Sequence, residues 1–83
     1  MNTVFLLLAQ YEQPRLTIEQ LAELMDITPE TVRNQIYAAR FPIPTYKDGG
    51  KTFADIRDVA KHLDEQRKGA ADRYRQLQEK LSA

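Results

Sequence analysis

The sequence of 83 residues contains no cysteine and no tryptophan, and it has a single histidine. The absence of cysteine excludes disulfides and thiolate metal sites, and it fits a reducing cytoplasm. Long apolar runs are missing too, since the run from Val4 to Ala9 is far too short to cross a bilayer. This run also lacks the basic flank and cleavage site of a signal peptide. We therefore expect a cytoplasmic protein with no membrane segment, no metal and no other cofactor.

Groups that could perform catalysis are equally scarce. His62 lies in a charged stretch with helical pattern, where no serine or cysteine nucleophile accompanies it. Asp64 and Glu65 are adjacent, so on a helix they point in different directions and do not form a catalytic pair. Gly49-Gly50 lacks the spacing of a phosphate-binding loop. We predict a protein without enzymatic activity, and at this length a single domain over residues 1–83.

Residues 16–40 have the pattern of two short helices joined by a tight turn. Thr17 followed by Gln20 has the spacing of a capping box at the start of the first helix. The apolar residues of that helix share one face: Ile18, Leu21, Ala22 and Met25. A second helix start follows at Thr28, whose hydroxyl precedes Pro29 at the first helical position. Such a pair predicts a helix-turn-helix, whose second helix lies in the DNA major groove.

The second helix, expected from Pro29 to Arg40, divides into an apolar side and a polar side. The apolar side carries Val32, Gln35, Ile36 and Ala39. The polar side carries hydrogen-bonding residues, among which Arg33 suits guanine and Asn34 suits adenine. The residues predicted to read bases are Glu30, Thr31, Arg33, Asn34 and Tyr37. The alternative is a helical hairpin whose second helix only packs.

The next segment, FPIPTYKDGGKTFA, predicts a β-hairpin. Pro42 and Pro44 exclude a helix, and Asp48-Gly49-Gly50 is a strong signal for a tight turn. Strands are expected at Ile43 to Lys47 and at Lys51 to Phe53, which would form a wing beside the reading helix. The residues predicted to contact the DNA backbone are Thr28, Arg40, Lys47, Gly49, Gly50 and Lys51. The alternative is an ordinary solvated hairpin.

Both ends of the chain are expected to be helical, flanking the helix-turn-helix and wing at residues 16–53. Residues 1–12 predict a short apolar helix, with a strand as the alternative for residues 1–11. Residues 54–83 predict a long helix of about 40 Å with Asp55 as its cap. The far half of the long helix must then project or pair, along a coiled-coil spacing that Gly69 weakens. The residues predicted to self-associate are Val4, Leu7, Leu8, Tyr11, Ala70, Tyr74, Leu77 and Leu81. The alternatives are contact between the two terminal helices, and a frayed or back-folded tail.

The net charge of zero counts against tight DNA binding by one copy, because phosphate neutralisation supplies most non-specific affinity. The charges are unevenly distributed, however. Residues 1–27 hold one base and four acids, whereas residues 28–53 hold four bases and two acids. The excess of bases therefore lies on the predicted reading helix and wing. We expect affinity to come from several copies on repeated double-stranded DNA sites, or from DNA bending.

Two resemblances follow from these residues. From Leu16 to about Leu63, the order helix, turn, helix, proline-containing hairpin and helix resembles the MerR-like winged helix-turn-helix, a group that includes phage excisionases. The opening NTVFLLLAQY and the later AKHLDEQRK resemble the pyocin activator (PrtN) family, small regulators of phage-derived elements in bacteria. The resemblance implies a DNA-binding activator of prophage-like genes, or an excisionase that bends attachment-site DNA for an integrase.

The sequence thus predicts a mainly α protein, a winged helix-turn-helix with a small β-hairpin wing and a long C-terminal helix. Its predicted function is sequence-specific DNA binding in the regulation or excision of a prophage or phage-derived element. It would act as a homodimer or higher oligomer in the bacterial nucleoid, with RNA polymerase or an integrase as protein partner. The alternative is a protein-interaction module, such as a phage anti-repressor, that does not bind DNA.

Overall fold

The computed structural model describes residues 2–82, so Met1 and Ala83 of the predicted terminal helices lie outside the described residues. Within this range the helices are Thr3–Tyr11 (α1), Ile18–Met25 (α2), Pro29–Tyr37 (α3) and Ile56–Ser82 (α4). The strands are Arg15–Thr17 (β1), Tyr46–Asp48 (β2) and Lys51–Asp55 (β3). The predicted fold class, mainly helical with a hairpin after the helix pair and a long C-terminal helix, is confirmed.

The N-terminal apolar segment forms a helix because both of its ends are capped. The Asn2 side chain accepts a hydrogen bond from the Phe5 N–H at 2.8 Å. At the other end Glu12 adopts a left-handed backbone, φ 56°, and its N–H donates to the Leu8 carbonyl at 2.8 Å. The Thr3 hydroxyl also donates a hydrogen bond to the Asp64 carboxylate, and this contact joins α1 to α4.

The starts of α2 and α3 are those that the sequence predicts. Thr17 and Gln20 form the capping box in both directions, with N···O distances of 3.2 Å and 3.0 Å. Thr28 caps α3 by accepting from the Thr31 N–H at 3.1 Å, and Pro29 follows at the first helical position. These signals depend only on residues three positions apart, so they need no knowledge of the tertiary structure.

The end of α3 differs from the prediction, because the helix stops at Tyr37 rather than Arg40. Ala39 adopts a left-handed backbone with φ 56°, and its N–H donates to the Ile36 carbonyl at 3.0 Å. The Arg40 N–H donates to the Gln35 carbonyl at 2.8 Å. This pair of bonds closes a helix in the way usually seen with glycine at the left-handed position. Alanine there gives no stop signal, and Ala39 lies exposed instead of on the apolar side.

The strands form an antiparallel sheet in the order β1-β3-β2, in which Leu16 pairs with Ala54 and Lys47 pairs with Thr52. No strand is predicted from the sequence at the position of β1, since three residues are too few to show alternation. The hairpin prediction is shifted, because β2 begins at Tyr46 and β3 continues to Asp55. Ile43 is not in a strand, but its side chain is buried in the core.

The core lies where the sheet meets α1, α2 and the first turns of α4. Its fully buried large side chains are Leu16, Leu21, Val32, Ile43 and Val59. α4 contributes Ile56, Val59 and Ala60, whereas its far half leaves the core and gives the molecule a longest dimension of 56 Å. Among residues 2–82, no helix combines the length and apolar character of a membrane span. His62, the single histidine, is half-buried.

The apolar side of α1 is used within the chain, which corrects part of the self-association prediction. Leu7 is a core residue, 4% exposed, and Val4 and Tyr11 pack partly buried against the same core. Burial, and then the charge of Glu23, raise the pKa of the Tyr11 hydroxyl. The alternative contact with the C-terminal helix therefore accounts for this side of α1. The exposed large apolar side chains of α1 are Phe5, Leu6 and Leu8.

Asp55 joins the last strand to the long helix. Its carboxylate accepts the Arg57 backbone N–H at 2.8 Å and two guanidinium N–H groups at 2.9 Å and 3.0 Å. The side-chain and backbone hydrogen bonds from Arg57 lower the pKa of Asp55 from 3.8 to about 2. Because the folded pKa is the lower one, the ionised carboxylate stabilises the fold above about pH 4. That stabilisation is lost as the pH falls towards about 2.

We expect Asp55→Ala to lower the free energy of unfolding at neutral pH by about 1 kcal/mol, because α4 loses its capping acceptor. Urea denaturation followed by circular dichroism measures this change. Asp55→Asn is the matched control: it keeps an acceptor, so its loss should be smaller, but its unfolding should no longer show the carboxylate's acid-dependent contribution. An Asp55→Ala protein as stable as the parent would contradict the capping role.

Candidate nucleic-acid interface

α3 presents one polar side to solvent and buries the other. Arg33 and Asn34 are exposed, and 94% of Tyr37 is accessible. On the opposite side Val32 is fully buried and Ile36 is half-buried. An aromatic side chain so fully exposed has no packing role in this chain, and aromatic side chains are enriched where partners bind. The polar side of α3 is therefore open to solvent at these three residues.

The first turn of α3 is less open than the sequence indicates. Glu30 is exposed, but Thr31 is half-buried and its hydroxyl lies 2.8 Å from the Thr28 hydroxyl. The Thr28 oxygen is also engaged as the helix cap. Both threonines, assigned to a base and to the backbone respectively, are thus occupied within the chain. Glu30 is the member of this turn that points freely to solvent.

Arg33 is paired with an acid that the sequence did not single out. Its Nη2 lies 3.2 Å from Oε1 of Glu19 on α2, and both side chains are more than half exposed. Such exposed pairs contribute between about 0 and 1 kcal/mol, so a nucleobase can replace Glu19 at small cost. The two residues are 14 positions apart and meet only because α2 crosses α3. No local pattern could have revealed this contact.

A groove of about 500 Å³ lies between α3 and the hairpin. It is lined by Thr17, Ile18, Glu19, Arg33, Ile36, Tyr37, Lys47, Gly50, Lys51 and Thr52. The groove brings the predicted base readers Arg33 and Tyr37 together with the wing lysines Lys47 and Lys51. Neither Asn34 nor the exposed Arg40 lines it. The predicted site is therefore one continuous surface made from the helix and the wing, with Asn34 and Arg40 outside the groove.

The tip of the wing is a two-residue turn. Gly49 and Gly50 have φ values of 60° and 81°, the left-handed values that the tightest hairpin turns require. A Cβ added at either position would meet no neighbouring atom, so backbone conformation is what selects glycine here. Lys47 and Lys51 are exposed on the two sides of this turn. The tip thus offers two cations beside open backbone.

Arg15 holds the hairpin against the rest of the sheet. From β1 its guanidinium lies 3.7 Å from the centroid of the Phe53 ring, and its Nη1 reaches Asp48 Oδ2 on β2 at 2.7 Å. The hydrogen bond to Asp48 raises the pKa of Arg15. Tyr46 belongs to the same cluster, with 6.2 Å between its ring centroid and that of Phe53. The pairing also neutralises the acid nearest to the wing lysines.

The profile of the family described as Pyocin activator protein PrtN matches residues 3–70. The chain belongs to the pyocin activator family. The match includes α1 to α3, the whole sheet and the part of α4 before Ala71. No curated protein and no solved structure matches the chain. Membership of the pyocin activator family supports transcriptional activation in a phage-related setting.

We expect Arg15→Ala to loosen the wing, because it removes both the ion pair with Asp48 and the stacking on Phe53. Together these contacts contribute about 1 kcal/mol, so amide exchange in β2 should become faster by on the order of fivefold. Hydrogen exchange resolved by residue measures this. Arg75→Ala is the control, since Arg75 pairs with Asp72 on the far half of α4. Unchanged exchange in β2 would show that Arg15 does not hold the wing.

Proposed function

We propose that the protein is a sequence-specific DNA-binding activator of phage-related genes. α3 enters the major groove, with Arg33, Asn34 and Tyr37 directed at base edges, and the wing tip contacts the flanking backbone. One observation carries this proposal: Arg33 and Tyr37, on the exposed polar side of α3, line one groove together with the two wing lysines. Family membership supports the activating role, and the geometry supports DNA as the ligand.

The proposed binding mode uses two kinds of contact, one to phosphates and one to bases. Lys47 and Lys51 are flexible point charges on a rigid turn, which suits phosphates and carries little sequence information. Arg33 offers two parallel N–H donors, the arrangement that matches the acceptors of guanine. The exposed ring of Tyr37 lies on the same groove and provides apolar contact to a thymine methyl or a sugar. Contacts from α3 then determine the sequence specificity, and contacts from the wing fix the position of the protein along the DNA.

Glu19 sets the starting position of the reading arginine. Its ion pair with Arg33 holds the guanidinium over the groove before DNA arrives, which lowers the entropy that binding must remove. On binding, the base acceptors replace Glu19, and the freed carboxylate remains close to DNA phosphates. Glu19 therefore opposes binding to any sequence while it orients Arg33 for the correct one. The repulsion between Glu19 and phosphates lowers affinity for every sequence, and only the correct base offsets it through Arg33.

Affinity on a natural site requires more than one copy. The zero net charge of the chain and the acids of its N-terminal third weaken single-copy binding. Copies on adjacent repeats gain from effective concentration, and together they bend the DNA that they cover. The same multi-copy binding would serve an activator that recruits RNA polymerase and an excisionase that shapes an attachment site for an integrase. A reporter gene measures the first role, and PCR across the junction of the element measures the second.

We expect Arg33→Ala to cost roughly 1–3 kcal/mol on the specific site and to relax preference at one base position. Lys47→Ala is the matched control: it should weaken all sequences alike and reduce the salt dependence by about one unit. Fluorescence anisotropy on a selected site and on a shuffled fragment gives both values. If Arg33→Ala weakens the two fragments equally, Arg33 does not read bases.

DNA binding itself is separable from the protein-interaction alternative. The exposed Phe5 and Leu6 are the observation that favours an anti-repressor, since they offer an apolar contact away from α3. A gel shift with fragments of total bacterial and phage DNA tests the main proposal. We expect a subset of fragments to be retarded at micromolar protein. Retardation of none would refute DNA binding and leave the protein-interaction module.

A further inference from the structure

Two exposed apolar surfaces lie on different elements of the molecule. The first, here called the α1 patch, consists of Phe5, Leu6 and Leu8, of which Phe5 is 67% exposed. The second, the α4 stripe, consists of Tyr74, Leu77 and Leu81, which are 63%, 56% and 78% exposed. At spacings of three and four residues the α4 stripe forms one line along its helix. Both surfaces remain exposed in the described part of the chain, and the α4 stripe lies on the part of α4 that projects beyond the core.

The charges beside the two surfaces have opposite signs. Residues 67–83 hold five bases and two acids, whereas residues 54–66 hold two bases and four acids. On the helix, Arg73 and Lys80 border the α4 stripe, while Asp72 and Glu79 fall on the opposite side. The exposed far half of α4 is thus a basic arm with an apolar line, distinct from the acidic first half that packs on the core.

This arrangement disfavours pairing of two α4 stripes with each other. In a parallel pair, Arg67 would face its counterpart across the seam. In an antiparallel pair, Arg73 would lie beside Lys80 of the other copy. Like charges at such positions destabilise helix pairs, and no acid lies on the border of the stripe to compensate them. The α4 stripe therefore suits an apolar surface of acidic character better than it suits itself.

The α1 patch combines exposed apolar side chains with acidic charge at one end. Glu12 is exposed at the C-terminal end of α1, where its N–H donates to the carbonyl of Leu8, a member of the patch. The last turn of α1 contains no basic residue, so the negative end of its dipole is uncompensated within the element. Residues 1–27 together hold one base and four acids. The same chain therefore carries both members of a complementary pair, on surfaces that cannot meet within one copy because α4 is continuous.

We propose that the α4 stripe of one copy docks on the α1 patch of the next copy, so that copies associate head to tail. This inference rests on the multi-copy DNA binding proposed above and identifies its protein contact. A contact between two different surfaces leaves one of each free at the ends, so it continues along a row of repeats instead of closing as a dimer. From Leu63 to Ser82 the arm extends about 28 Å, enough to reach a neighbouring copy.

The residues of the α4 stripe all follow the part of the chain that the family profile matches, which ends at residue 70. The α1 patch lies inside that part. The receiving surface is thus within the region shared with the family, whereas the α4 stripe that docks on it belongs to the remaining segment. Removal of the arm should leave the fold intact, because the core takes no large side chain from beyond Leu63.

Disulfide trapping tests the proposal cleanly because the chain has no cysteine of its own. Ala9→Cys places a thiol between Phe5 and Leu6 on the exposed side of α1, and Gln78→Cys places one beside Leu77. Both substitutions leave the apolar side chains in place. The two proteins, one carrying an affinity tag, are mixed at submillimolar concentration in low salt, oxidised, and separated on a non-reducing gel.

We expect the yield of the mixed disulfide to exceed the yield of either homodimer. The control replaces Gln78→Cys by Glu79→Cys, on the opposite side of α4, and the mixed disulfide at 78 should exceed that control by at least about fivefold. A chain with both cysteines at 9 and 78 should give a ladder of oligomers. Predominant 78–78 homodimers would show symmetric pairing of α4 and overturn the proposal. Yields no higher than with Glu79→Cys would overturn it as well.

The charge contribution has its own test. Glu12→Lys in the Ala9→Cys partner should lower the yield of mixed disulfide, and Arg73→Glu in the Gln78→Cys partner should restore it. Cross-linking is measured without DNA, so its failure leaves single-site DNA binding untouched. Conversely, a chain that cross-links as expected but retards no DNA fragment would refute the DNA-binding proposal alone.

Discussion

The pairing of β1 with β3 is the constraint on which the rest of the structure depends. In three residues, β1 supplies a fully buried leucine to the core, an arginine to the wing and the threonine that caps α2. The Pro14 carbonyl beside it accepts the Ile56 N–H at 3.0 Å, so the start of α4 is fixed at the same place. Without β1, the hairpin would be a two-stranded unit, which is marginally stable in water. The groove between α3 and the wing exists because this short strand holds one wall of it.

What could be predicted from the sequence was encoded locally. Thr17 with Gln20, Thr28 with Pro29, and Asp48-Gly49-Gly50 each specify a boundary or a turn through atoms that are at most a few residues apart. The parts that escaped prediction depend on tertiary contact. β1 is a strand only because β3 lies beside it, and Arg33 meets Glu19 only because two helices cross. The end of α3 escaped for a different reason, since alanine occupies the left-handed position where glycine would have marked the stop.

For the candidate site, the sequence showed which residue types lie on α3 and on the wing, but not which of their side chains are already engaged within the chain. The predicted base-reading set was a helical-wheel argument, which treats a side chain as free whenever it points outward. Thr31 points partly outward, yet its hydroxyl is engaged with the neighbouring cap. The apolar side of α1 shows the same limit, because an apolar line at helical spacing does not reveal whether its partner is another copy or the same chain. Here α4 of the same chain takes that place for Leu7.

One junction in the fold has a mechanical consequence. β3 ends at Asp55 and α4 begins at Ile56, so no flexible link separates the wing from the arm. In the proposed complex the hairpin and the long helix act as a lever whose short end lies near the DNA backbone. If the short end tilts by about 10° as the duplex bends, the tip of a helix about 40 Å long sweeps through about 7 Å. A small deformation of the nucleic acid is thereby converted into a displacement as large as a helical turn at the far end of the protein.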